Sequence, residues 1–162
     1  DRPIGEGIEN IAIAPNSGFE QDVETVIVGF VADSWAYRFG PSPRAVVASL
    51  ESDGVAERDR LSAFLFPGGR PLAEEPAESL GLSADAVAVA DGLAIDLTTD
   101  RFVYGLRVGA AGMAAADDAF ALEPGRTRRV KLASTGDGVP STVSIEALNL
   151  RGRLSVPVAE AR

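Results

Sequence analysis

Turn-forming residues interrupt this chain at close intervals, and the stretches between them are short and apolar rather than long and helical. The clearest case is the pair of alternating runs at 86–90 and 93–97, which are joined by Asp91-Gly92. Asp-Gly is a preferred two-residue hairpin loop because both of its positions can adopt positive φ. About a dozen such runs, with no convincing long amphipathic helix among them, predict an all-β antiparallel sandwich or barrel.

The predicted strands extend along the whole sequence. Residues 23–32 are apolar on both faces, which is typical of a central strand covered on both sides. On the run 101–109, Phe102, Tyr104, Leu106 and Val108 alternate and are predicted to share one face. Residues 73–82 are expected to form a surface loop or one helical turn, and residues 109–116 a flexible loop. The remaining predicted strands are 8–13, 34–39, 45–51, 60–66, 118–122, 128–133, 142–148 and 153–158.

One segment rich in glycine and proline separates two parts of this pattern. Gly40-Pro41-Ser42-Pro43 ends the run 34–39, because proline cannot donate to a strand ladder. We therefore expect residues 1–44 to form an N-terminal extension or added strands, and residues 45–162 to form the main sandwich. The sequence starts at Asp1 rather than Met, which suggests a processed or truncated chain with a longer parent polypeptide.

The charge composition disfavours two classes of partner. The net charge is −9, whereas nucleic acids and anionic membranes both bind clustered cations. Fourteen of the fifteen cationic side chains are arginine, and Arg126, Arg128 and Arg129 are the only three arginines that fall within a span of four residues. We expect this trio to be a solvated strand edge, where charge discourages edge-to-edge pairing, rather than an anion site. No apolar run approaches the roughly 20 residues needed to cross a bilayer.

Two residue types are missing, and their absence excludes several chemistries. Without cysteine or histidine the chain has no disulfide, no thiolate or imidazole zinc site and no Ser-His-Asp or Cys-His triad. No cofactor or metal is therefore predicted, and the cellular compartment stays open. Adjacent carboxylates such as Asp117-Asp118 are expected to stabilise a turn by accepting backbone N–H bonds, in preference to ligating calcium.

Residues 117–130 contain the most distinctive motif of the chain. They read Asp-Asp-Ala-Phe-Ala-Leu-Glu-Pro-Gly-Arg-Thr-Arg-Arg-Val, which predicts a strand, a Pro-Gly turn and a second strand. This run resembles Asp-Asn-Tyr-Phe-Asp-Leu-Leu-Pro-Gly-Glu in the last β-sandwich of family 2 glycoside hydrolases of the β-mannosidase and exo-β-glucosaminidase type. The shared skeleton consists of Asp117, Phe120, Leu122, Pro124 and Gly125. The chain departs from the family at Asp118, Ala119, Ala121, Glu123 and Arg126.

The resemblance extends over about positions 45–150. Phe64-Leu65-Phe66-Pro67 is similar to the family's aromatic run ending in proline, and 97–104 is similar to its Leu-Thr-Ser-Asp strand pair. Val143–Leu148 followed by Asn149 resembles its closing strand. Residues 1–44 match no part of the family.

The resemblance implies an immunoglobulin-like sandwich with no catalytic residue of its own. Family 2 enzymes use two carboxylates on a barrel, one as the acid and one as the nucleophile. A barrel of that kind needs roughly 250 residues, which exceeds this chain. The implied function is a non-catalytic C-terminal domain of a β-mannosidase-like glycoside hydrolase, and the implied partners are other domains of the same polypeptide.

Two other functions are compatible with the sequence. Trp35, Tyr37 and Phe39 alternate on one predicted strand, and sugar rings pack well on aromatic faces, so Trp35 and Tyr37 could bind glycan in a carbohydrate-binding module. Trp35 can instead be the single tryptophan that fills a sandwich core. This core role is favoured because the chain has only ten aromatic residues. The other alternative is a purely structural immunoglobulin-like interaction domain with no glycosidase parent.

Overall fold

The computed structural model describes residues 5–27, 44–51, 61–136 and 138–159 of the chain. Within these residues both helices are single turns, and ten strands form most of the regular secondary structure. The helices are α1 (Val23–Val26) and α2 (Ala77–Leu80). The strands are β1 (Val46–Leu50), β2 (Leu61–Leu65), β3 (Ser83–Val89), β4 (Gly92–Thr98), β5 (Val103–Gly109), β6 (Met113–Ala115), β7 (Phe120–Leu122), β8 (Arg128–Ser134), β9 (Thr142–Glu146) and β10 (Leu154–Ala159).

The chain divides into two compact units. The larger comprises Asp1, Val47–Phe64 and Gly69–Arg162, and the smaller comprises Arg2–Val46 and Leu65–Gly68. The sequence-based division into 1–44 and 45–162 remains a prediction.

The smaller unit corrects two strand predictions. Residues 8–13 form no strand, and Ile8 is 95% exposed. Val23–Val26, the start of the predicted central strand, is a helical turn in which the Ile27 N–H donates to the Val23 carbonyl at 3.0 Å. β-branched residues favour a strand only where neighbouring strands pack against them, so local propensity was misleading here. Residues 28–43, which include the predicted strand 34–39, lie outside the described residues.

Eight strands of the larger unit form one sheet, in the order β6-β8-β4-β3-β10-β9-β5-β7. The all-β prediction is confirmed. The sheet is mixed rather than purely antiparallel, because β10 pairs in parallel with β3 through Val158 and Ala86. The finer prediction of an immunoglobulin-like sandwich remains a prediction.

Both halves of this sheet share one hydrophobic core. Ile95 and Leu97 of β4 belong to the same buried cluster as Leu106 of β5 and Ile145 of β9. Each of these four side chains is fully buried, whereas the residues next to Ile95, Leu97 and Ile145 in sequence are less buried. The sheet therefore curls so that the β6-β8-β4-β3 half and the β10-β9-β5-β7 half cover opposite sides of the core.

The hairpin between β3 and β4 turns one residue earlier than predicted. Val89 is directly opposite Gly92, so the two loop residues are Ala90 and Asp91. Neither of them has positive φ, and Gly92 starts β4 with a φ of +143°. The Cβ of any other residue at Gly92 would lie 2.0 Å from the Leu132 carbonyl oxygen, so close strand packing explains this glycine.

A bulge in β5 corrects the predicted face of that strand. Val103 is opposite Leu122 and Leu106 is opposite Phe120, so β5 has one residue more than β7 between these pairs. The extra residue is accommodated where Gly105 adopts a φ of +63°. Leu106 and Val108 consequently face the core, whereas Phe102 and Tyr104 are only half-buried.

The other segments of the larger unit follow the predictions more closely. The region 73–82 contains the single turn α2, although its last residue, Leu80, belongs to the core. The predicted loop 109–116 is wrong in part, because Met113–Ala115 pairs with β8 as the edge strand β6. β1 and β2 form a separate two-stranded sheet.

Candidate functional site

The motif that carries the family resemblance begins with two carboxylates, each of which accepts a hydrogen bond from the backbone N–H of the next residue. Asp117 Oδ1 accepts the Asp118 N–H at 2.9 Å, and Asp118 Oδ1 accepts the Ala119 N–H at 3.0 Å. Ala119 then adopts a left-handed φ of +56° before β7 begins. Short carboxylate side chains stabilise such turns by bonding to nearby backbone, so both residues act locally on the chain reversal.

Each of these carboxylates also binds one arginine from a neighbouring strand. Asp118 receives a two-pronged contact from Arg107 of β5, with Nε–Oδ1 at 2.8 Å and Nη2–Oδ2 at 2.7 Å. Asp117 pairs with Arg128 of β8. Paired N–H donors of this kind fix geometry as well as charge. The turn is thereby tied to strands in both halves of the sheet.

The remaining residues of the motif either pack into the core or form the next turn. Phe120 and Leu122 are buried on one face of β7, and the Arg128 guanidinium lies 4.3 Å from the centre of the Phe120 ring. Pro124 and Gly125 form the turn after β7, where Gly125 has a φ of +74°. The Gly125 N–H donates to the Thr99 carbonyl at 2.9 Å. The motif therefore builds a corner of the domain.

An open cleft of about 290 Å³ lies beside this corner. It forms on the outward face of β5 and β9, where Arg107 is opposite Glu146 and Gly109 is opposite Ser144. The Ser144 hydroxyl donates to the Gly109 carbonyl at 3.2 Å. The lining residues are Arg107, Val108, Gly109, Ala115, Asp118, Ser144 and Glu146.

The charges of the cleft are arranged in pairs. Arg107 binds Asp118, and Arg153 binds Glu146 with Nε–Oε1 at 2.8 Å. The hydrogen bond from Arg107 lowers the pKa of Asp118, and the same bond raises the pKa of Arg107. A general acid in a glycosidase needs a raised carboxyl pKa, whereas the pKa of Asp118 is lowered. Asp118 is suited to holding an arginine in place.

The arginine trio is not the solvated strand edge that was predicted. Arg126 binds Glu123 at 3.0 Å, Arg128 binds Asp117 and Arg129 binds Asp96. Arg129 and Asp96 face each other on adjacent strands β8 and β4, where opposite charges stabilise the pair. The Arg128 and Arg129 side chains are only 25% and 30% exposed, so these two residues are half-buried and ion-paired instead of solvated.

Trp35 and Tyr37, the predicted glycan-binding residues, lie outside the described residues. A different aromatic group is described, whose members the sequence did not predict to meet. Phe64 of β2 meets Phe102 edge to face at 6.3 Å, and the Arg70 guanidinium lies 5.7 Å from the centre of the Tyr104 ring. These aromatic residues connect the β1–β2 sheet to the bulged end of β5.

Comparisons with protein-family models, curated proteins and solved structures find no match. Within the described ranges, no group of three or more acidic side chains is placed to hold a metal ion. Neither α1 nor α2 has the length or the apolar character to cross a membrane.

Sequence reasoning missed the cleft residues Arg107, Ser144 and Glu146. Alternation alone places Arg107 on one face of its strand and Ser144 with Glu146 on one face of another. Only the pairing of β5 with β9 brings them together, and that pairing joins segments about 40 residues apart. A local pattern carries no signal for it.

Proposed function

We propose that this chain is a non-catalytic β-sandwich domain that supports the catalytic part of a β-mannosidase-like glycoside hydrolase. The observation that carries the proposal is that the residues of the shared motif have structural roles. Asp117 braces a turn, Phe120 and Leu122 fill the core, and the Gly125 N–H closes a loop onto Thr99. Residues engaged in this way hold a fold together and have no group free for covalent chemistry.

The strand order supports an immunoglobulin-like form of this sandwich. Immunoglobulin domains place strands A, B, E and D in one sheet and C, F and G in the other. If β3 is strand A, the order β3-β4-β8-β6 corresponds to A-B-E-D, and β5-β9-β10 corresponds to C-F-G. The parallel β3–β10 pair then joins the first and last strands, and β7 is an additional strand beside β5.

The cleft supports a non-catalytic role as well. Glycosidases need one carboxyl group that is protonated and a second that is free to attack or to activate water. In the cleft Asp118 is bound by Arg107, and Glu146 is bound by Arg153. The hydrogen bond from Arg107 lowers the pKa of Asp118, which opposes the role of the acid.

The proposal is tested by two measurements. Purified chain is incubated with an aryl β-mannoside, and we expect no turnover above buffer; turnover that disappears in Asp118→Asn or Glu146→Gln would refute the non-catalytic assignment. The complete reading frame is then sequenced, and we expect a barrel domain with paired glutamates in the same polypeptide. A frame without such a barrel would refute the glycosidase parent.

A further inference from the structure

The small β1–β2 sheet has no core of its own. Each of its ten residues is exposed or half-buried, and none belongs to the buried hydrophobic cluster. The Ser49 and Ser62 hydroxyls, which link the two strands at 3.1 Å, are themselves exposed. A two-stranded sheet is at best marginally stable alone in water, so its order depends on packing against another part of the protein.

Phe64 of β2 supplies such packing. Phe64 is half-buried, whereas its neighbours Ala63 and Leu65 are exposed. Its ring meets the ring of Phe102 edge to face, with the ring centres 6.3 Å apart and an angle of 87° between the ring planes. Edge-to-face aromatic pairs are favourable beyond the area they bury. The small sheet is therefore anchored at the residue that immediately precedes β5.

The bulge in β5 makes this anchor possible. In an unbroken strand, Phe102 and Tyr104 would share the face of Leu106, which points into the core. The extra residue re-aims them, and both are half-buried instead. The buried Asn149 side chain holds the Tyr104 N–H and the Phe102 carbonyl, each at 2.9 Å. The Arg70 guanidinium, from the segment after β2, lies 5.7 Å from the centre of the Tyr104 ring.

The same segment is held a second time before α2 begins. The Glu75 N–H donates to the Asn149 carbonyl at 3.0 Å, and the Glu75 carbonyl accepts the Arg151 N–H at 2.8 Å. The Glu75 carboxylate also pairs with Arg101. Because the chain between Phe64 and Glu75 is short, anchoring Glu75 keeps the Phe64 ring at a high effective concentration near its partner.

We propose that the bulged end of β5 is a clasp on which the folding of the β1–β2 sheet depends. The small sheet is ordered while Phe64 is docked on Phe102, and it unfolds locally when that contact opens. The eight-stranded sheet stays folded, because its buried cluster contains no residue of β1 or β2. Segments with few buried apolar contacts open at a lower free energy than a core does. This inference concerns the chain itself and does not depend on a glycosidase parent.

The test is amide hydrogen exchange, measured residue by residue by NMR on the unchanged chain and on two variants. Phe64→Ala removes the docked ring and alters no residue of the eight-stranded sheet. Leu61→Ala is the matched control, because it also replaces a large apolar residue of β2 by alanine. Leu61 is 71% exposed, and its replacement leaves the aromatic pair in place.

In Phe64→Ala we expect the protected amides of β1 and β2 to exchange at least about tenfold faster, with the rates at Ile95 and Ile145 in the core unchanged. Leu61→Ala should change the β1–β2 rates by less than about threefold. Three results would overturn the clasp: unchanged β1–β2 rates in Phe64→Ala, equal acceleration by both variants, or equal acceleration at Ile95 and Ile145. None of them bears on the proposed glycosidase parent, which is tested by its reading frame.

Discussion

Asn149 provides the sharpest test of how β5 is held at its bulge. Asn149 is 2% exposed; its Oδ1 accepts the Tyr104 N–H at 2.9 Å and its Nδ2 donates to the Phe102 carbonyl at 2.9 Å. Asn149→Ala leaves both backbone groups without this partner. Each lost partner costs about 1–3 kcal/mol when fully buried, and these groups are only part-buried, so we expect a total loss of about 2–3 kcal/mol.

The measurement is urea unfolding followed by far-ultraviolet circular dichroism, together with hydrogen exchange at the Tyr104 amide. The exchange rate of that amide should rise at least tenfold in Asn149→Ala. Asn10→Ala, at an exposed position of the smaller unit, is the matched control and should change the stability by less than about 0.5 kcal/mol. A loss of stability in Asn149→Ala no greater than in this control, or an unchanged Tyr104 exchange rate, would refute the reasoning.

Asn149→Asp separates the donor from the acceptor. The carboxylate can still accept the Tyr104 N–H, but it faces the Phe102 carbonyl without a proton to donate. Burial and this carbonyl should raise the pKa of the new carboxyl group above its unfolded value. The destabilisation is therefore expected to be largest near pH 7 and to shrink as the pH falls toward 4, because protonation restores the donor. A loss of stability independent of pH would contradict this account.

Two other predictions concern turns of the larger unit. Gly92→Ala should be far more destabilising than Gly125→Ala, because a Cβ at Gly92 meets the Leu132 backbone at 2.0 Å whereas nothing lies within 4 Å at Gly125. We expect a cost above about 3 kcal/mol for Gly92→Ala and about 1–2 kcal/mol for Gly125→Ala, and equal unfolding midpoints in denaturant would count against the clash. Asp118 has a lowered pKa because of its hydrogen bond from Arg107, so its contribution to stability is present above its unfolded pKa of about 3.9 and is lost as the pH falls through the lower folded value. Asp118→Asn should therefore lessen the loss of stability below pH 4, and an acid-unfolding curve identical to that of the unchanged chain would show that the pair contributes nothing.

The sequence was informative where structure depends on neighbours along the chain. Alternation in residues 93–97 and the turn residues around Pro124 predicted β4 and the turn after β7. It misled where tertiary contacts decide. Val23–Val26 contains two β-branched valines and a threonine yet forms a helical turn, because strand propensity depends on the presence of partner strands.

The bulge and the cleft were out of reach for a related reason. Gly105 reads as one residue of an alternating run, and only its pairing with β7 shows that an extra residue is accommodated there. Arg107 and Asp118 lie close in sequence, but Glu146 and Arg153 join them only through the order of strands in the sheet. Lateral order is set by contacts distant in sequence, which no single periodicity encodes.

The position of β10 within the sheet has a consequence for biosynthesis. β10 is the last of the described strands in sequence, yet it lies fifth among the eight strands of the sheet and joins β3 to β9. β10 must therefore have left the ribosome before the two halves of the sheet can be joined. Until then, one edge of β3 and one edge of β9 are unpaired, so chaperones or strands of other chains can bind them. β10 thus holds the two halves of the sheet together, and a nascent chain that stops before Leu154 would leave two separate sheets with open edges.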